Sequence, residues 1–274
     1  MLSNQEFSHI YRQAYIPEHL PDYVEAISSA RPHLIENHLC YTGNHHLIFI
    51  GYSLSGDRLD SARVYAAACD QFQPSTVAII APELWAAVEF SREQPADNFY
   101  RLDLPLGATA PDVAYMVRRA EKDLVVNSGK FGREHKKLIK CFISGHGLSA
   151  RHKYIFKHIH PYLKRSKTAR LLEARKKGRL AAFTIFDLGS ADSAFYLFNF
   201  RSTKVDVPGA SDLLFREMVN LAQAEGKNYI NLGLGINGGI RRFKEKWGGV
   251  PFLPYVSAMV HRGPVDIGRL ARKL

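Results

Sequence analysis

The sequence predicts a mixed α/β chain in two lobes, and three observations carry that prediction. The stretch Ser193–Pro254 reads strand, loop, helix, strand, glycine-rich turn, short helix. Upstream of it, two helical segments run into a meander of apolar strands. The first half holds a fainter strand–helix–strand unit with no residue-level identity to the second, either a degenerate duplicate or simply a generic α/β unit, and the lobes are expected at 1–126 and 127–274.

Each element follows from local pattern. Residues 1–35 predict a helical lead-in broken at Pro17, Pro21 and Pro32. His45–Leu54 and Ser75–Ala81 are apolar enough for buried strands, and Ser61–Phe72 is a helix between them with Ser61 as its N-cap. A short helix is expected over Glu83–Phe90. Asn98–Leu106 alternates as a strand does, and Pro111 opens a helix, since proline suits a first turn. Lys130, Arg133, Lys136, Lys137 and Lys140 surround Leu138, Ile139 and Phe142, a basic amphipathic helix ending near Gly145. Tyr154–Leu163 is a second helix, interrupted by Pro161. Ala169–Ala174 and Arg179–Leu188 form a hairpin across Arg175–Gly178 and lead to a strand at Ala194–Phe200. Ser202–Ser211 is a polar loop. Asp212–Glu225 is a helix with Leu214, Met218 and Leu221 at helical spacing and Gly226 as its stop. Tyr229–Leu232 is a strand, Gly233–Gly239 a turn, and Ile240–Trp247 a short helix closed by Gly248 and Gly249.

Composition narrows the class. No apolar run approaches the roughly 18–20 residues of a membrane span, and the N-terminus has no apolar signal core. Cys40, Cys69 and Cys141 are odd in number and far apart, which fits reduced thiols in a cytoplasmic protein. Residues 1–128 hold 9 Lys+Arg against 16 Asp+Glu, and residues 129–274 hold 28 against 10, a balance of +18. Such a half suits a polyanionic partner, whether a phosphorylated cofactor, RNA or an anionic headgroup; the alternative is a solvated surface.

The order of helices and strands resembles the GNAT acyltransferase superfamily. The segments LLFREMVNLAQAEGKNYINLGLG and FKEKWGG are similar to its Fem-type branch, tandem GNAT-like proteins that include aminoacyl-tRNA-dependent peptidyltransferases and lipid lysyltransferases. The resemblance covers about residues 125–260. It implies that the loop after the strand at 194–200 binds a donor diphosphate through backbone N–H groups, with Gly209, Ala210 and Ser211 at the helix start. The superfamily's glutamine-or-arginine glycine pattern is not intact there; only Pro208-Gly209-Ala210 resembles it. It implies further that Lys244 of the FK motif faces anionic substrate, with Arg241 and Arg242 adding charge for substrate binding.

The residues themselves suggest the rest of the site. Arg201 and Lys204 flank the loop and can pair with phosphate or remain solvated. Tyr196 and Asn199 lie on the strand lining the cleft, Tyr196 either as a general acid or as a core aromatic. Asn231 can orient a carbonyl or amine, or cap its strand. Ile240, Phe243 and Trp247 define the inner face of the last helix, with Lys244 at its edge. Gly233–Gly238 matches G-x-G-x-x-G, but it falls too late for a nucleotide-binding sheet to follow. The histidines show no paired metal-ligand spacing, so no metal is expected. These readings predict an acyltransferase acting by direct attack in a ternary complex, with acyl-CoA as donor. The alternatives are a charged tRNA as donor, or a non-catalytic protein binding RNA or anions. The acceptor is a small molecule, peptide, lipid or saccharide.

Overall fold

The computed structural model describes residues 2–56, 60–85, 92–93 and 96–262. In chain order the elements are α1 (Asn4–Gln13), a 3₁₀ turn (Pro17–His19), α2 (Pro21–Ser28), β1 (Arg31–Ile35), β2 (His38–Gly43), β3 (His46–Ile50), α3 (Ser61–Phe72), β4 (Thr76–Ala81), β5 (Arg92–Glu93), β6 (Asp97–Asp103) and α4 (Pro111–Glu121). They continue with β7 (Val125–Ser128), α5 (Arg133–Gly145), α6 (Ala150–Lys157), α7 (Ile159–Arg165), β8 (Ala169–Lys176), β9 (Arg179–Asp187), β10 (Ser193–Arg201), α8 (Ala210–Ala224), β11 (Tyr229–Leu234), α9 (Gly238–Lys246) and β12 (Val250–His261). The described residues divide into two compact units, one within 30–96 together with 254–262, the other from Ser3–Ser29 with Asp97–Leu253.

In the first unit β1, β2 and β3 form a meander through two tight turns, Glu36-Asn37 and Asn44-His45, all four residues at positive φ. Such mirror-image turns suit the right-handed twist of a hairpin. β3 then runs parallel to β4 through α3, which buries Val64, Tyr65, Ala68 and Cys69. The helix is capped by Asp60, whose carboxylate accepts from the Ala62 and Arg63 amides, and not by Ser61. The expected lead-in to residue 35 ends at Ser28, and its last residues are β1. Of the helix expected at Glu83–Phe90, residues 83–85 are not helical and the rest lies outside the described residues.

The second unit carries the site. Its sheet runs β6-β11-β10-β9-β8-β7, antiparallel except between β10 and β11. One face is covered by α4, α8 and the Trp247 end of α9, packed on Ala182, Phe186, Ala194, Ile230 and Leu232. The other is covered by α5 and α7, packed on Leu171, Phe183, Ile185, Phe198 and Phe200. Leu214 and Met218 of α8 are fully buried, but Leu221 is turned outward and 39% exposed.

The parallel pair is interrupted. Ser193–Phe195 pair with Tyr229–Asn231 and no further. At that level β10 shifts register against β9 between Tyr196 and Phe198, and β11 shifts against β6 between Asn231 and Leu234. A bulge bends its strand and raises its twist, so two bulges at one level turn β10 and β11 away from each other.

Gly209 closes the connection from β10 to α8. Its φ is +81°, and a Cβ there would lie 2.2 Å from the Met116 carbonyl oxygen of α4. Backbone cannot yield as a flexible side chain does, and the conformation itself favours glycine. Gly209→Ala should therefore lower stability by more than about 2 kcal/mol in chemical denaturation. An unchanged midpoint would show that the loop is not seated on α4.

Candidate active site

The gap between β10 and β11 is bordered by α9, whose inner face differs from the expectation. Ile240 is only half-buried, while Lys244 and Trp247 are buried. Trp247 anchors the helix: its indole N–H donates to Asp212 of α8 at 2.9 Å, and its ring lies 4.8 Å from Phe215. Lys246 reaches the same carboxylate at 2.6 Å. Phe243 packs on Phe215 at 5.6 Å. Gly249 has no room for a side chain, since a Cβ would meet Leu232 at 2.5 Å and the Lys244 carbonyl oxygen at 2.9 Å. In FKEKWGG, then, Phe243 and Trp247 dock the helix, Lys246 ties it to α8 and Gly249 permits close approach to β11.

Docked this way, the helix drives Lys244 inward, not to the edge of a wet face. The residue is 3% exposed. Its Nζ donates to the carbonyl oxygens of Gly233 at 2.8 Å and Leu234 at 2.5 Å. The Tyr100 ring lies 5.3 Å away. Burial pushes the amine from 10.5 down to about 7, and Asp97 opposes that fall. Two carbonyls match the two N–H groups of a neutral amine and leave its lone pair open. The ammonium form has a third N–H to satisfy, with the Tyr100 face and Asp97 as its support. Lys244 is thus no fixed point charge; near neutral pH both of its forms are populated.

Other polar side chains hold the backbone that borders the gap. Asn231 is fully buried; its Nδ2 donates to the Tyr15 carbonyl at 2.8 Å and its Oδ1 accepts from the Gly233 amide at 2.8 Å. Asp97 accepts from the Gly235 and Ile236 amides at 3.2 and 2.7 Å. The turn between β11 and α9 is therefore fixed from both sides. Gly233, at φ +74°, sits between the two walls: a Cβ there would stand 3.7 Å from the Tyr196 carbonyl oxygen and 3.9 Å from Lys244 Nζ.

Tyr196 and Asn199 lie on the β10 wall. The Tyr196 ring packs 5.1 Å from Phe215 and 6.1 Å from Phe243, and burial raises its phenol above the ordinary value. It keeps its proton at neutral pH, and the half-buried ring packs on the core with its hydroxyl near Asn199 and Thr184. Asn199 Oδ1 accepts from Ser211 at 2.9 Å, while its buried Nδ2 finds no partner among the described residues.

The loop expected to cradle a diphosphate is largely engaged with itself. Ser202 Oγ accepts from the Lys204 and Val205 amides at 3.2 and 3.1 Å, and the Ala210 amide donates to the Val207 carbonyl at 3.2 Å. Arg201 pairs with Asp206 at 2.6 Å, and Lys204 is exposed. Gly209 is pressed on α4, and Ser211 turns to Asn199. These contacts fit a diphosphate cradle poorly. Arg241 and Arg242 are exposed on the outer side of α9, the Arg241 stem lying over Gly235. The site thus gathers Lys244, Asn231, Tyr196, Asn199 and Ser211, and leaves Arg201, Lys204, Arg241 and Arg242 at its margins. Sequence reasoning missed Asp97, Tyr100, Tyr15 and Asp212, each joined to the site by a bond spanning from 35 to 216 residues or by a ring contact.

Asn231→Leu should be severe. It removes the side-chain partner of the Tyr15 carbonyl and the Gly233 amide, both on half-buried residues, at about 1 kcal/mol each, so denaturation should show a loss of about 2 kcal/mol or more. A loss below about 1 kcal/mol would mean that the Tyr15 segment is not held through Asn231.

No family model and no curated protein matches the sequence. Solved structures do match. The C-terminal domain of a putative lysylphosphatidylglycerol synthetase from Agrobacterium fabrum aligns over 99% of this chain and 96% of its own, at 15% identity and a TM-score of 0.59. FemX aligns over 93% and 96%, at 11% identity and 0.59. A tandem GNAT protein from the clavulanic acid biosynthesis pathway aligns over 84% and 80%, at 13% identity and 0.51. At such identities the likeness speaks of architecture, and the architecture is the Fem-like, tandem GNAT arrangement of a mixed sheet flanked by helices.

Proposed function

We propose that the gap between β10 and β11 is an acyl-transfer site, in which an amine or hydroxyl acceptor attacks the carbonyl of an aminoacyl group esterified to tRNA. The observation that carries this reading is the buried Lys244 amine beside the parting strands. In its neutral form the amine accepts the proton that the attacking nitrogen or oxygen must lose. The oxyanion formed in the attack is met by amide groups of the diverging strands, and the proton returns to the departing ribose hydroxyl. Orientation and proton transfer of this kind need no covalent nucleophile on the protein.

The donor is argued from charge and from the loop. A balance of +18 over residues 129–274 suits a macromolecular polyanion better than a single cofactor. The self-engaged loop after β10 argues against a diphosphate there. A neighbour in structure is named as a putative lysylphosphatidylglycerol synthetase, which agrees with aminoacyl transfer and with a lipid acceptor. Acyl-CoA is the second reading, favoured by the tandem GNAT neighbour whose description names AcCoA and by the start of α8 at that loop.

Transfer of radiolabel separates the two. Protein incubated with aminoacyl-tRNA and a panel of amine, peptide and phosphatidylglycerol acceptors should move label into acceptor, and labelled acetyl-CoA should not serve. The rate should climb as pH rises through about 7, where Lys244 loses its proton. Lys244→Met should reduce it by about 10²- to 10⁴-fold, the usual worth of a general base. Transfer that survives Lys244→Met would remove Lys244 from the chemistry, and transfer from acetyl-CoA alone would overturn the donor.

A further inference from the structure

The side of the second unit's sheet covered by α5, α6 and α7 carries a charge distribution that the acyl-transfer site does not use. Residues 130–170 hold 12 Lys+Arg and a single acidic residue, Glu134. The three helices form one layer: the Phe142 ring of α5 lies 5.8 Å from Phe156 of α6, and Phe131, just before α5, stacks 5.1 Å from His160 of α7. Within α5 the sequence divides by helical period. His135, Leu138 and Ile139 are buried against the sheet, with Phe142 half-buried beside them. Arg133, Lys136, Lys137 and Lys140 have the same i, i+3, i+4, i+7 spacing on the opposite side, and all four are exposed. Among the described residues none of the four has an acidic partner, whereas Glu134 is taken by Arg175.

The helix that bears this stripe is rigidly seated. His135 accepts the Gly132 amide at 3.0 Å and lies 3.1 Å from the buried carboxylate of Glu173 on β8. Four unpaired cations therefore stand over about 10 Å of a fixed helix. Evolved surfaces usually intersperse both signs of charge, and a one-sign stripe on a rigid element raises the local potential for a polyanion. Two polyanions are in question, a nucleic acid backbone and an anionic bilayer. A bilayer-seeking face needs apolar side chains to enter the headgroup region. On this layer the one large apolar side chain that is strongly exposed among the described residues is Tyr154, 48% exposed with its ring 4.2 Å from His158. A lone aromatic beside a histidine suits stacking on a base better than insertion into lipid.

We propose that the outward face of α5, with the adjoining exposed surface of α6, docks the sugar–phosphate backbone of an RNA. The inference rests on the reading of the donor as a charged tRNA and names the face of this chain that receives it. Arg133, Lys136, Lys137 and Lys140 supply the phosphate contacts, and Tyr154 offers a stacking surface at the edge.

Binding of uncharged, fluorescently labelled tRNA to the full chain tests this without requiring turnover. Anisotropy titrations between 50 and 200 mM salt should give a steep slope of log K against log salt. In the variant R133Q/K136Q/K137Q/K140Q the slope should be shallower by about 0.9 for each phosphate contact removed, with at least a tenfold weaker Kd at 100 mM salt. A charge-matched control, R118Q/R119Q/K122Q/K177Q, should bind as the parent does, and thermal unfolding should show both variants folded. Equal losses in the two variants would overturn the assignment. So would stripe-dependent binding to vesicles of phosphatidylglycerol and phosphatidylcholine in the absence of tRNA binding. Stripe-dependent tRNA binding without label transfer would keep the surface and remove the donor reading; label transfer from tRNA that the stripe variant leaves unchanged would do the reverse.

Discussion

A parallel strand pair that stops pairing after three residues on each side leaves backbone groups with no partner across the gap. That constraint organises the second unit. β10 and β11 part after Phe195 and Asn231, and the carbonyls of the half-buried Gly233 and Leu234 at the far end of β11 turn to the buried Lys244 amine. An unmet buried carbonyl costs about 1–3 kcal/mol. Lys244 meets both, and the consequence is an amine held where its charged form is disfavoured. Structural need and chemical capacity thus coincide in one side chain.

The surrounding polar residues extend the same logic. Asn231 joins the Tyr15 carbonyl to the Gly233 amide, Asp97 takes the next two amides of the turn, and Asp212 binds the Trp247 indole. Four of these bonds go to main chain, so the walls of the gap are positioned by side chains that are themselves buried or half-buried. A site built this way holds its geometry before substrate arrives, which is what direct attack without a covalent intermediate requires. The basic layer of α5 to α7 lies over Phe183, Phe198 and Phe200 of the same sheet.

Much of this was legible in the sequence, for reasons that can be named. The helix over 61–72, the 169–187 hairpin and the order from β10 to α9 were readable because apolar period and glycine stops lie close together along the chain. Gly226 ends α8 at φ +71° as its position suggested. The hairpins of the first unit were missed because their turns are Glu-Asn and Asn-His, without the Asn-Gly signal that marks a two-residue turn. Lys244 was singled out through the FK motif, yet its burial was not foreseen, because helical period alone cannot say how α9 is rotated. That rotation is set by Trp247 on Asp212 and by the missing side chain of Gly249. Asp97 and Tyr15 act across 138 and 216 residues and leave no local pattern at all. Arg201 was chosen as a phosphate ligand by its place beside the loop, and the structure gives it Asp206 instead.

The central claim is that the gap contains an amine which titrates near neutrality. Direct observation of the Lys244 side-chain nitrogen by NMR, in protein labelled with ¹⁵N-lysine and assigned by comparison with Lys244→Arg, tests it without any substrate. The account predicts one lysine resonance with a midpoint near pH 7, absent from the variant. A Lys244 midpoint at 10 or above would mean that the ammonium is fully solvated or paired, and that the gap holds a fixed positive charge and no base.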